Sequence, residues 1–389
     1  MKLIHNRYKK PSKKLLTVII LLILLNLFLG IYYLTLKTPK PYNSSQSFLI
    51  HQCQKVPLRN EPFLNSDRYT CYLNALDTSL KQQGLIETSK VINNYLSSGE
   101  DVQFQGACHD FAHTFGETAV SLGYRGSDLL NYCINSCVVG CFHGVGHGYI
   151  SRKYSFDEIN KFCNPADYKG DPLKIAACFH GVGHGIVDVL GSDINQNLKN
   201  CSQINTEVGK SECSHGVFMT TSSYMIPAKI SLPSDILAFC SNQDKPFQGY
   251  CYEFAGFLTY IKSENLAKAG EVCTKVPDKN RNGCFVKFGE IVYISNKTKP
   301  PAYLVTPCKD ITEDRDKLSC ADGISASILA DGNKSPEESL LICSSLSSNI
   351  VSDCYIKLGD KIAELRGKTL RDNLCSSLSN PYKEACLGT

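Results

Sequence analysis

Apolar and polar positions alternate in two different ways along this chain. Residues 15–36 (LLTVIILLILLNLFLGIYYLTL) form one apolar run without a charge. As a helix rising 1.5 Å per residue, a run of this length crosses a hydrocarbon core of about 30 Å. Later in the chain, short amphipathic stretches such as FDEINKFC, SDILAFC, ENLAKAGEVC and EESLLIC each end on a cysteine. A polar loop follows (SNQDKPFQGY, TKVPDKNRNG or SSLSNPYKEA), and a second cysteine then opens another helical stretch. Polar caps start the first helix of such units: Ser155 with Glu158, and Ser335-Pro336-Glu337-Glu338, read as capping boxes, the latter with proline at the first helical position.

The second cysteines set a ruler. Taken at 71, 108, 141, 178, 213, 251, 284, 320, 354 and 386, they are spaced 32 to 38 residues apart with a mean of 35. A fixed period of this kind marks a repeat array. The expected fold is all-α: about ten two-helix units, each clipped across its loop and stacked as an α-solenoid in which every unit buries its apolar face on its neighbours. In period and helix count the array resembles tetratricopeptide-type repeats, but their Trp/Gly/Tyr/Ala/Pro consensus is absent, and no residue roles carry over.

Companion spacing predicts the clips Cys53–Cys71, Cys163–Cys178, Cys201–Cys213, Cys240–Cys251, Cys273–Cys284, Cys308–Cys320, Cys343–Cys354 and Cys375–Cys386. LLNYC at Cys133 resembles ILAFC and INKFC, which pairs Cys133 with Cys141 and leaves Cys108 for Cys137. Each bridge of this loop size is worth about 3 kcal/mol by the loop entropy it removes from the unfolded chain.

Composition then places the chain. Twenty cysteines in 389 residues are too many for a reduced cytosolic enzyme and indicate an oxidising compartment. Six of the 41 basic residues and no acid lie in the first 36 positions, so the rest carries 35 basic against 37 acidic residues. That balance excludes a nucleic-acid binder. The basic cluster ahead of the apolar run predicts a retained signal anchor, N-terminus cytoplasmic and residues 37–389 periplasmic or extracellular. The expected organisation is a basic segment (1–14), an anchor (15–36), a tether (37–46), repeats rich in histidine (47–220) and repeats without it (221–389).

Histidine is the feature that the repeat does not explain. Seven of nine follow the second cysteine of four consecutive units: His109 and His113 (CHDFAH), His143 and His147 (CFHGVGHG), His180 and His184 (CFHGVGHG again), and His215 (CSHGVFM). On a helix, residues four apart share a face at about 5–6 Å, a spacing with which two imidazoles chelate one ion. The octapeptide is identical at 141–148 and 178–185 while the residues after it differ, so something constrains those eight. Glycine five residues after the cysteine recurs at 146, 183, 256, 289 and 359, with or without histidine, and so belongs to the architecture. Glycines 144, 146 and 148 make a poor helix by propensity, and close packing of neighbouring units there would gather His143, His147, His180 and His184. Asp110, Glu117 and Asp188 stand near these histidines as oxygen ligands or as partners that orient an imidazole.

The pattern predicts a site for zinc, copper or iron, with haem a weaker fit, used for metal handling, redox chemistry or metal-assisted hydrolysis. The chain contains no C-x-x-C-H, HExxH, G-x-S-x-G or Walker loop, so no catalytic signature selects among these. The alternative is a scaffold that offers its repeat surface to a protein or envelope polymer, with histidine packed inside. Geometry separates the two: imidazole nitrogens of adjacent units more than about 6 Å from any common point could not share an ion with bonds of 2.0–2.1 Å.

Overall fold

The structure, a computed structural model, describes residues 47–57, 63–98, 101–134, 137, 139–166, 171–191, 193–223, 232–331 and 334–388. The basic segment, the anchor and the tether expected at 1–14, 15–36 and 37–46 lie outside the described residues.

Among the described residues every regular element is helical. Short helices run into the first cysteine of a unit, and their starts follow from local chemistry. Ser155 accepts from the Glu158 amide while Glu158 reaches back to the Ser155 amide at 2.9 Å, closing a capping box ahead of Phe156–Cys163. Asp193, Asp235 and Asn265 cap Ile194–Cys201, Ile236–Ser241 and Leu266–Lys275 in the same way with one side chain each. The box expected at Ser335 does not form. Pro336 takes the cap position, the Ser335 hydroxyl turns to Glu337, and Glu338 pairs with Lys334 at 3.0 Å instead.

The second helices of the units carry the site and are labelled in order: α1 Asp67–Gln83, α2 Cys108–Ser121, α3 Gly140–Ser151, α4 Pro172–Leu190, α5 Glu207–Ser223, α6 Lys245–Glu253, α7 Asp278–Asn296, α8 Asp314–Ala330, α9 Val351–Arg366 and α10 Tyr382–Leu387. From α2 onward each packs on the next in chain order. Packing continues from α5 to α6, past the point where histidine ends.

Ten disulfides join the pairs named above, all with Cα–Cα distances of 5.3–5.6 Å, and no described cysteine is free. Units are also tied by half-buried polar bonds. Asn160 donates to the Gln203 carbonyl at 3.1 Å and accepts from the Asn205 amide at 2.9 Å, joining one unit to the loop of the next.

Glycine sets how closely α2 to α5 approach. A Cβ placed on Gly146 would lie 1.9 Å from the Cys178 carbonyl oxygen, and one on Gly181 would lie 1.8 Å from that of His143. The α3–α4 contact is thus reciprocal, backbone on backbone. Gly183 with Cys213 and Gly216 with His180 repeat it between α4 and α5; Gly289 with Cys320 and Gly323 with Val286 repeat it between α7 and α8, where there is no histidine. Contacts this close offset the poor intrinsic propensity of HGVGHG, which is helical throughout. Gly256 departs from the series. The helix is interrupted at Phe254, and Gly256 faces the Cys273 sulfur from the start of Ala255–Ser263.

The same contacts reveal a register that cysteine spacing conceals. Between α2 and α3 the reciprocal pairs are Gly116 with the Cys141 carbonyl and Gly144 with that of His113. Phe111, not Cys108, therefore stands where the other units place their second cysteine, and α2 is displaced by three residues. His113 aligns with His143, His180 and His215, while Glu117 aligns with His147 and His184.

Helix α4 is long and apolar enough to cross a membrane by length and composition alone. Its apolarity has a local cause, since Phe179, Val182, Ile186 and Val187 are buried between α3 and α5.

Candidate metal centre

Because α3, α4 and α5 approach through glycine, the residue two positions after each second cysteine meets its counterpart on the next helix. The rings of His143 and His180 stack at 4.5 Å, and those of His180 and His215 meet edge-on at 4.4 Å. Tyr250 continues the column, its ring parallel to His215 at 4.0 Å. His184, one turn beyond His180 on α4, leans in at 4.7 Å from the His180 ring and 5.9 Å from His143.

Two sets of donors result. One ligand atom each from His143, His180 and His184 lie within 4.8 Å of one another, and so do atoms from His180, Glu212 and His215. Tetrahedral ligands with bonds of 2.0–2.1 Å stand about 3.4 Å apart, so an ion would draw the donors inward by roughly an ångström. The separations meet the distance criterion set out from the sequence.

Protonation suits the first set to a cation. Burial pushes His143 and His180 well below the ordinary imidazole range, with repulsion from neighbouring histidines adding to it, and takes His184 down to about 3. All three are neutral at pH 7, the form that binds a metal. The tautomer of His184 is also set. The Thr220 hydroxyl donates to the Gly216 carbonyl at 2.9 Å, so its oxygen accepts from Nδ1–H of His184 and leaves Nε2 with its lone pair. Nε2 of His180 is buried without a hydrogen-bond partner, in a residue 4% exposed.

The other expected residues are placed differently. His147 is clasped by two carboxylates, its Nδ1 2.5 Å from Glu117 and its Nε2 2.8 Å from Asp188. Against burial, which lowers it, the two carboxylates push it up to about 9, so it is an imidazolium that donates from Nε2 to Asp188 and lies in an ion pair with Glu117. Glu117, which also accepts from His113 at 3.0 Å, is held down at about 2 by these histidines against the opposing effect of burial. Asp188 thus serves His147 on the preceding helix rather than His184 on its own. His113 lies outside both donor sets, and His109 meets the His143 ring edge-on at 5.2 Å, also outside them. Asp110 is exposed on the far side of α2, near Tyr69. Beside the clasp a hollow of about 250 Å³ is lined by Glu117, Thr118, Ser121, Gly148, Ser151 and Arg152.

Glu212, Tyr250 and Thr220 are the site residues that histidine counting passes over. Glu212 precedes Cys213 and faces His215, three residues along α5, at 3.7 Å. Tyr250 precedes Cys251 and donates its hydroxyl to Glu212 at 2.8 Å. Both occupy the position just before the second cysteine, which other units fill with Gly140, Ala177 and Gly283. A search for acids three residues from each histidine would have found Glu212.

The chain matches no known protein family, and no curated protein or solved structure is significantly similar to it.

Proposed function

We propose that this chain is a membrane-anchored, exported α-solenoid that binds a transition-metal ion through His143, His180 and His184. The observation that carries the reading is the convergence of three imidazole donors from two adjacent helices within 4.8 Å, one of them with a buried nitrogen lacking a hydrogen-bond partner. Disulfide pairing removes every described cysteine from the ligand set, so nitrogen and carboxylate donors remain, which suit zinc, copper or non-haem iron. Ring separations of 4.4–4.7 Å leave no slot between neighbouring imidazoles for a porphyrin. Export and anchoring are supported by the ten disulfides and by the apolar run at 15–36 behind its basic cluster.

The test is metal content. Full-length protein, purified in detergent and dialysed against Zn²⁺ or Cu²⁺, is expected to retain at least one ion per chain. The His143→Ala/His180→Ala variant, with unchanged helicity by circular dichroism, is expected to retain none. Negligible metal in the parent protein would overturn the reading.

A further inference from the structure

The two donor sets intersect at one residue. His180 belongs to both, and an imidazole has two nitrogens on opposite sides of its ring. Its Nδ1 stands 3.9 Å from Oε2 of Glu212, on the side where His215 also faces that carboxylate. Its Nε2 is then the nitrogen left for His143 and His184, and that atom is buried with no hydrogen-bond partner. Leaving a buried polar atom unsatisfied is unfavourable, and nothing in the packing of α3 to α5 requires it, since the α7–α8 contact is built without histidine.

We infer that the centre holds two metal ions joined through the His180 ring: one with His143 and His184, the other with Glu212 and His215. This rests on the metal-binding reading above and extends it to a second ion and a bridging ligand.

The second set shows its own preparation. Tyr250 donates to Oε1 of Glu212, which fixes the carboxylate and leaves Oε2 turned to His180 and His215. The Tyr250 ring, parallel to His215 at 4.0 Å, fixes that imidazole as well. A carboxylate oriented by an outer hydroxyl and an imidazole oriented by an outer ring are what a preorganised metal site needs. The bonding balances simply. His180 gives its one N–H proton to water, each ring nitrogen then donates a lone pair to one ion, and no electron is transferred. Glu212 and the resulting imidazolate supply two negative charges towards the four positive charges of two divalent ions.

Copper and zinc titrations of the full-length protein decide the matter. Two ions per chain are expected in the parent, one in His184→Ala, one in His215→Ala and none in His180→Ala. With both sites filled by Cu²⁺, the shared ring couples the two unpaired spins, so the paramagnetic resonance signal per copper falls well below that of either one-ion variant. A single ion per chain in the parent would overturn the bridge while leaving the metal-binding reading intact. Two copper signals that simply add would also overturn it. No metal in any of the proteins would refute the metal-binding reading itself. The His184→Ala and His215→Ala variants keep the test decisive if His180→Ala fails to fold.

Discussion

Replacing Gly323 by alanine tests whether glycine contacts, rather than histidine, hold the repeat together. The added Cβ would sit 1.9 Å from the Val286 carbonyl oxygen. A carbon approaches a carbonyl oxygen no closer than about 3.3 Å, so α7 and α8 must part there by roughly 1.4 Å. Both atoms belong to backbone, so no side-chain rotation relieves the clash. Parting loosens Phe285, Phe288, Ile324 and Ile328, all fully buried or nearly so. Overpacking of this kind costs about 1–3 kcal/mol, and a backbone clash belongs at the upper end. Alanine returns about 1 kcal/mol of helix propensity, for a net loss of about 2 kcal/mol. Gly249 is the matched control, since a Cβ there meets nothing nearer than Asn280 at 3.8 Å. Gly249→Ala should therefore stabilise by up to about 1 kcal/mol. Urea and thermal midpoints under non-reducing conditions read both changes; two shifts of the same sign would refute the reasoning.

Further outcomes follow from other contacts. In chelator-treated protein, His147 lies above its unfolded value, so its contribution is complete below pH 6.5 and lost as pH rises through about 9. His143, His180 and His184 lie below theirs, so the unfolded chain takes up protons first and stability also falls as pH drops below 6.5. The carboxylate of Glu117 contributes above its unfolded value and is lost as pH falls towards about 2. Denaturation midpoints should peak near pH 6.5, and His147→Gln should flatten the alkaline fall and also weaken the part of the acid fall that comes from Glu117; an alkaline fall unchanged in that variant counts against the clasp. Asn160→Ala leaves a carbonyl and an amide of the next unit without partners, for an expected loss of about 2–3 kcal/mol with metal content unchanged. A midpoint equal to that of the parent would show that water replaces both bonds.

The helix pairs and the cysteine pairing were legible in the sequence because both are local: a cap, an amphipathic stretch and a cysteine 11 or 12 residues from its partner in six of the clips. The displacement of α2 was not legible, because Cys108 is a cysteine in the right place for counting but lies three residues before the position that packs. Histidine spacing pointed to chelation within each helix. Glycine brings the helices so close that counterparts on different helices meet first, and only His180 and His184 remain as a pair from one helix. His147 left the group because acids from α2 and α4 flank it, which no spacing within α3 reveals. Glu212 and Tyr250 had no periodic signal, since the position before the second cysteine tolerates anything from glycine to tyrosine.

The reciprocal glycine contacts recur between α7 and α8, where Val286 takes the place that histidine holds on α3, α4 and α5. Asp322 stands at the same place on α8 and is raised mainly by burial, and Ile356 stands there on α9. Where these glycine contacts occur, the backbone thus behaves as a rack whose slots accept imidazole, carboxylate or alkyl groups without rebuilding the frame. Chemistry can be written into it one slot at a time, and histidine placed at Val286 and Asp322 would set two imidazoles on adjacent helices in the register that joins His143 to His180.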